Sequence, residues 1–431
     1  MAQIRSGWLT ILPSGRWYLQ GVNKAIITGL NKQKRLLAKL GPDSIQKPIQ
    51  LGAPPQQPHR VRTKVYWAVS NDQLTIGPIV GIMTVGDGSS FRGNRDNFKD
   101  IIHSGKRLGA LVYVFTPSGI NWEKKRIQAF LYNEEYDSWV ESVMPFPHVV
   151  YNRVPTRKLE TKDEVKQTLN QLAKLENVTL FNRHFFNKRT LFQILEKKPE
   201  IQEYLPDTKV LSTYAQFQAF AKQHPFIYLK PTRGKAGKGI MRVEQRKSGW
   251  KLRCVNEQNS TTRHFHKLAD LWRNVILRTR GNRYIIQQGI QLAHYKKRPF
   301  DVRVLIQKGG SGEWGVTGIG IRRAGANSIT THVPRGGSIL PTTKVLQALF
   351  KEQADEIYQH IEQTALSIAR LLNEEIEDLA EMSMDLGLTE EGKLWFFEAN
   401  AKPEKFDEPT IRRSSLANLI YYSQYVSAFM A

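Results

Sequence analysis

Cysteine is nearly missing from this chain. Of 431 residues one, Cys254, is a cysteine. An internal disulfide and a cysteine-built metal site are therefore excluded. Long apolar runs are missing too. Stretches such as Ala110–Phe115 fall far short of the ~20 residues that span a bilayer. The opening MAQIRSGWLTILPSG has no apolar core of a secretory signal. No internal repeat is visible, and low complexity is confined to APPQQP at 53–58. No Walker loop, no H-E-x-x-H and no persuasive Ser/His/Asp or Cys/His order occurs. Acidic residues are scarce beside basic ones: 39 Asp and Glu against 63 Lys and Arg. These absences predict a cytoplasmic protein without a membrane partner.

What is present reads as globular. The chain is 40% hydrophobic and 24% charged, and its length fits two to four domains at about 100–200 residues each. The net charge of +24 attracts polyanions of any kind and identifies none; a merely solvated basic surface fits it as well. Short alternating segments at Gly7–Leu12, Arg16–Leu19 and Ala25–Ile27 predict a β-rich domain over 1–72, with His59–Ser70 as its last strand. Ile79–Thr84, a helical pattern over Arg92–Leu108 and Leu111–Phe115 predict a small α/β domain over 73–160. Its loop 85–93 reads as a connection. A third region, 161–431, carries helical patterns at about 162–175, 187–198, 212–223 and 266–277. Strands are expected at Phe226–Lys230, Gly239–Glu244, Trp250–Val255 and Tyr284–Gln288. Lys344–Leu379 reads as one or two helices on a sheet. Met382–Leu388 and Lys393–Ala399 read as a hairpin turned by TEEG.

Three constellations carry chemistry. In Lys230-Pro-Thr-Arg-Gly234-Lys235-Ala-Gly237-Lys238-Gly239 a strand runs into three glycines among cations. Glycine lets backbone N–H groups approach an anion closely, although a basic hairpin turn fits as well. In the hairpin, Glu398 and Asn400 share a strand face. A four-residue turn places Asp385 opposite Phe396, diagonal to Glu398, with Trp395 and Phe397 toward the core. Two carboxylates and an amide oxygen form a hard, oxygen-rich donor set of the kind that holds Mg²⁺ with substrate phosphates. Asp301 and Arg303 share a face ahead of Val304-Leu305-Ile306, and Arg grips phosphoryl or carboxylate groups; a strand-edge salt bridge is the alternative.

In sequence order these pieces resemble the ATP-grasp superfamily. The order is NKRTLFQIL with Lys188, Pro206 and Thr208, the Lys-Pro-x-x-Gly-x-x-Gly-x-Gly run, Gln-Gln-Gly, D-x-R, an R-A…G-G hairpin, and Asp…Glu-x-Asn, over about residues 175–405. FNRHFFNKRTLFQIL, YLKPTRGKAGKGI and FFEANAKPEKF are similar to the YheC/YheD group, described as endospore coat-associated. The resemblance implies two α+β lobes clasping ATP, after a small α/β pre-grasp domain and the β-rich domain. It implies that Lys188, Lys230, Gly234, Lys235, Gly237, Lys238 and Gly239 contact ATP, and that Gln287, Gln288 and Ile290 line the adenine hinge. Arg303 and Lys230 would be catalytic. Asp385, Glu398 and Asn400 would hold Mg²⁺ or Mn²⁺. Arg323, His332, Gly336, Gly337 and Lys402 would lie toward the substrates. Gln288 stands where an acidic residue is common, and His332 where Asn is frequent. The implied activity is a carboxylate–amine ligase of spore formation, acting on an acid and an amine in the mother-cell cytoplasm beside spore coat proteins; nucleic acid is not the expected partner. The rival expectation is an ATP-binding coat protein without turnover.

Overall fold

The computed structural model describes residues 3–22, 35–42, 45–70, 73–232, 239–255, 260–279, 282–325 and 336–430. A closed barrel comes first. Its strands β1 (Arg5–Ile11), β2 (Trp17–Gln20), β3 (Arg35–Leu40), β4 (Ile45–Leu51), β5 (Val61–Ser70) and β6 (Gln73–Gly77) run in the order β1-β2-β4-β3-β6-β5. Alternation turns Leu9, Leu19, Val65 and Trp67 inward, as a period of two requires. β5 is not the last strand. Pairs such as Trp67↔Ile76 and Ala38↔Leu74 make β6 the closing strand, so the barrel continues past residue 72. Ala25–Ile27 lies outside the described residues.

The second sheet has the order β12-β11-β10-β7-β13-β14, from β7 (Ile79–Met83), β10 (Leu111–Asn121), β11 (Arg126–Asn133), β12 (Ser138–Pro145), β13 (Val149–Asn152) and β14 (Thr179–Phe181). β7 is parallel to β10 and β13, and β13 to β14. β7 is buried along its whole length, the pattern of a parallel strand covered on both faces. The 85–93 loop folds into a small hairpin, β8 (Gly86–Asp87) and β9 (Ser90–Phe91). Helix α1 (Arg95–Leu108) follows. It is capped by Asn94, whose side chain accepts from Asn97 N at 3.1 Å, and it ends at Gly109 with φ +96°. Helices α2 (Arg157–Glu160) and α3 (Asp163–Leu172) precede β14, so this sheet takes in chain beyond residue 160.

Helix α4 (Lys188–Leu195) leads into the first of two further sheets. That sheet, the N-lobe, has the order β15-β20-β16-β17-β18-β19, from β15 (Thr208–Val210), β16 (Phe226–Pro231), β17 (Met241–Arg246), β18 (Gly249–Val255), β19 (Ser260–Phe265) and β20 (Tyr284–Gln288). Helices α5 (Tyr214–Gln223) and α6 (Leu268–Thr279) cover one face, with Phe217, Phe220, Leu271 and Val275 on Ile227, Leu229, Val243 and Leu252. The C-lobe sheet has the order β24-β23-β22-β25-β26, with β21 (His294–Tyr295) beside β22 (Arg298–Lys308); the others are β23 (Trp314–Arg323), β24 (Ser338–Leu340), β25 (Glu381–Leu388) and β26 (Leu394–Asn400). The 344–379 pattern resolves into α7 (Thr342–Phe350) and α8 (Ala354–Glu375). Ile361, Ala365, Ile368 and Leu372 pack with Val302, Val304, Met384 and Phe396.

Two features tie the halves together. Helix α9 (Pro409–Val426) returns to the second sheet, where Leu419, Ile420 and Tyr422 join Val80, Ile82 and Phe98. Its Gln424 Nε2 donates to Leu108 O at 2.7 Å. Asn182 is fully buried with φ +57°, a conformation asparagine tolerates. Its side chain accepts from Ala380 N at 3.1 Å and donates to Glu381 O at 3.0 Å.

Candidate active site between the two lobes

The floor of the cleft is a row across three strands. Arg303 of β22 pairs with Asp385 of β25, and Asp385 pairs with Glu398 of β26. Asp385 therefore faces Glu398 directly rather than Phe396. Two one-residue shifts cause this. The turn holds five residues, 389–393, with Thr389 N donating to Lys393 O at 3.0 Å, and a bulge lies between Asp385↔Glu398 and Leu386↔Phe396. The extra residue is Phe397. The bulge puts Phe396 and Ala399 in the core, whereas Phe397 meets the cleft, its ring 5.3 Å from Lys230 Nζ. Asn400 is paired with Ser383, one step along the same face, and its side chain hydrogen-bonds Glu398.

Cations close over this floor. Asn187 caps α4 by accepting from Arg189 N at 3.0 Å, which starts the helix at Lys188. Phe192 of α4 lies 5.7 Å from Phe396, so the helix is seated on β26 and Lys188 pairs with Glu398. From the N-lobe, Lys230 Nζ donates to Gln287 Oε1 at 2.6 Å, and Gln287 Nε2 donates to Thr208 Oγ1 at 3.0 Å. Arg303 stands 3.9 Å from Asp385 Oδ1, donates to Ser383 Oγ at 3.5 Å, and lies 5.6 Å from the Phe406 ring centroid.

The electrostatics are uneven. Burial pushes Asp385 up, and Glu398 beside it pushes further; Arg303 offsets only part, leaving it at about 6. Burial alone would raise Glu398 as well, but Lys188, Lys230 and the Asn400 hydrogen bond outweigh it and hold Glu398 well below the usual range. Burial and the charge of Lys188 bring Lys230 down to about 8. Arg303 stays charged because Asp385, Asp301 and Glu398 outweigh its burial. A carboxylate raised in this way lacks compensating charge, and a cation beside it would supply that. The donors are all oxygen, which fits a hard divalent ion. Among the described residues no three His, Cys, Asp or Glu form a metal-holding group. Asp385, Glu398 and the Asn400 amide oxygen are a donor set that fits such an ion when a bound molecule completes its ligands.

The other expected residues fall in several places. Ile290 is buried at the inter-lobe connection. Gln288 turns away from the cleft: its N donates to Asp207 O at 2.8 Å and its side chain accepts from Asp207 N at 3.2 Å. Gly239 has φ +79° and its carbonyl accepts from Tyr284 Oη at 3.2 Å. Gly234, Lys235, Gly237, Lys238 and His332 lie outside the described residues. Arg323 Nε donates to Ser338 Oγ at 3.1 Å beside Gly336, at φ +75°, and Gly337. Lys402, expected toward the substrates, is enclosed instead. Its side chain is 2% exposed and ion-paired with Glu160. A Lys after Glu-x-Asn-x is compatible with either fate, and only the fold brings Glu160 to it. Phe397 was missed because its role depends on the bulge.

A sequence-family profile described as "YheC/D like ATP-grasp" matches residues 177–426. The chain is 30% identical over 364 residues to the endospore coat-associated protein YheD of Bacillus subtilis (strain 168), covering 82% of this chain and 79% of that one. The chain belongs to the YheC/YheD-like ATP-grasp family. It is 23% identical over 291 residues to the endospore coat-associated protein YheC of the same organism, covering 67% of this chain and 79% of that one. Among solved structures, the D-alanyl-alanine synthetase A of Vibrio cholerae O1 biovar eltor shares 12% identity at a TM-score of 0.48, covering 82% of this chain and 98% of that one. The two clasping lobes are those of an ATP-grasp fold, preceded by the α/β sheet and the barrel. Among the described residues, no helix is long and apolar enough to cross a membrane.

Proposed function

We propose that the protein is an ATP-dependent carboxylate–amine ligase that uses Mg²⁺ or Mn²⁺ and acts in spore formation. The observation that carries this reading is the row Arg303–Asp385–Glu398 beneath Lys188 and Lys230. Phosphoryl transfer through a loose transition state asks for positioning and charge neutralisation, not for a protein nucleophile. In this reading a substrate carboxylate attacks the γ-phosphorus and ADP leaves. An amine then attacks the acyl carbon, phosphate departs, and the amine gives up a proton. Lys188 and Lys230 hold the phosphates, and Arg303 offsets charge on the transferring group. Gly234, Lys235, Gly237, Lys238 and Gly239 are assigned to the triphosphate, Gln287 with Ile290 to the adenine, and Asp385, Glu398 and Asn400 to the ion. When bound, the ion supplies a Lewis acid for phosphoryl oxygens. The names of the YheD and YheC relatives support the spore setting, with residence in the mother-cell cytoplasm or at the coat.

The test is release of ADP and phosphate against a panel of acids and amines. Glu398→Gln should cut turnover by about 10²-fold or more while the protein still unfolds cooperatively. Full turnover in that variant would remove the ion from Glu398. Nucleotide binding without turnover on any acid–amine pair would favour a structural coat role.

A further inference from the structure

The +24 charge is not spread evenly. Residues 208–288, the N-lobe, hold 17 Lys and Arg against 3 Asp and Glu, a net of +14. Residues 1–77, the barrel, hold 11 against 2, a net of +9. All the remaining chain is nearly balanced. The barrel lies at the other end of the sequence from the cleft, but the N-lobe is one of its walls.

Within the N-lobe five of these cations share one sheet face. Helices α5 and α6 cover the face that bears Ile227, Leu229, Val243 and Leu252. Alternation puts Lys230, Arg242, Arg246, Lys251 and Arg253 on the other face, the one that meets the C-lobe at Phe397. The register is direct: Tyr228↔Arg242↔Arg253 and Glu244↔Lys251 across β16, β17 and β18. Among the described residues of this face, Glu244 is the single carboxylate. It already serves Arg246 at 2.8 Å and Arg242 at 3.7 Å. Arg242 Nε is buried with no acceptor, although its guanidinium lies over Phe226 at 4.0 Å.

We infer that the face of strands β17–β18 turned away from α5 and α6 binds an acidic polypeptide, a chain rich in Asp or Glu, and leads one of its carboxylates to the nucleotide cleft. This rests on the ligase reading for the fate of that carboxylate but not for the binding itself. The strands that carry these cations lie about 4.8 Å apart, so side chains on neighbouring strands reach neighbouring carboxylates of one extended chain. A nucleic acid fits this face less well. Binding of single strands draws on exposed aromatic rings for base stacking. Among the described residues of the N-lobe, the exposed large apolar side chains are Val210, Ile276 and Leu277, none of them aromatic.

The experiment uses the full chain and a labelled decaglutamate, with binding read by fluorescence anisotropy and, in the same samples, binding of a fluorescent ATP analogue. Lys251→Glu with Arg253→Gln should weaken decaglutamate binding at least about tenfold and leave the nucleotide signal in place. The charge-matched barrel pair Lys39→Glu with Lys64→Gln should change it less than about twofold. Equal weakening by both pairs, or tighter binding of a single-stranded oligonucleotide of equal charge, would overturn the inference. Should the N-lobe pair not fold, a photo-crosslinkable decaglutamate on the wild-type chain decides. Crosslinks within Met241–Val255 support the face, and crosslinks confined to the barrel refute it. Loss of nucleotide binding with decaglutamate binding intact would count against the ligase reading alone.

Discussion

Lys188 and Glu398 are each tolerable in the cleft because of the other. Both side chains are mostly buried, at 16% and 25% exposure, and a buried charge without a partner is expensive. Lys188→Met should therefore cost about 2 kcal/mol of stability, less than the ~3–5 kcal/mol of a fully enclosed pair. Adding Glu398→Gln should restore part of it in denaturant titrations; additive losses would show that the pair is not coupled. The chemistry of this site was legible in composition. A carboxylate inside LWFFEA demands a partner, and the two-residue spacing of Glu398 and Asn400 fixes a shared face. The partner itself was not legible, because Lys188 is 210 positions away along the chain. The buried Lys402–Glu160 pair was hidden for the same reason.

The element scale turns on register. A bulge of one residue decides that Asp385 faces Glu398 and that Phe397 enters the cleft, and no local sequence signal announces it. The bulge needs room on β25. A Cβ on Gly387 would stand 2.4 Å from Phe397 Cζ and 2.9 Å from Leu292 Cδ2. Gly387→Ala should thus cost about 1–3 kcal/mol by overpacking and, by pushing Phe397 toward Lys230, weaken ATP binding in calorimetry. Unchanged affinity would remove Phe397 from the nucleotide wall. In the second sheet, half-buried His148 accepts from Ile79 N through Nδ1 at 3.0 Å. Burial lowers its pKa from 6.5 to about 4. The folded state thus favours the neutral ring, so its stabilisation is complete above pH 6.5 and is lost as pH falls toward 4. That loss is about 3 kcal/mol. His148→Gln should flatten the wild-type fall in unfolding free energy over this interval. Helix α9 escaped the sequence reading for a related reason. It packs between the second sheet and the C-lobe, so its buried residues, with Ile411 and Ile420 on opposite sides of the helix, do not fall on one stripe.

At the scale of the whole molecule, the order of parts was legible because each carries its own period: alternation in the barrel, a buried parallel strand in the second sheet, mixed patterns in the two lobes. The boundaries were not, because β6 and β14 complete sheets whose other strands lie earlier in the chain. The two lobes meet where Lys230 faces Phe397, beside the Lys188–Glu398 pair, and the account depends on a nucleotide and a divalent ion entering between them. Crystals grown with ADP and Mn²⁺, measured at the manganese absorption edge, put that to the test. The account predicts an anomalous peak between the carboxylates of Asp385 and Glu398, with the diphosphate beside Lys188 and Lys230. A peak elsewhere, or ADP bound away from those lysines, would contradict it.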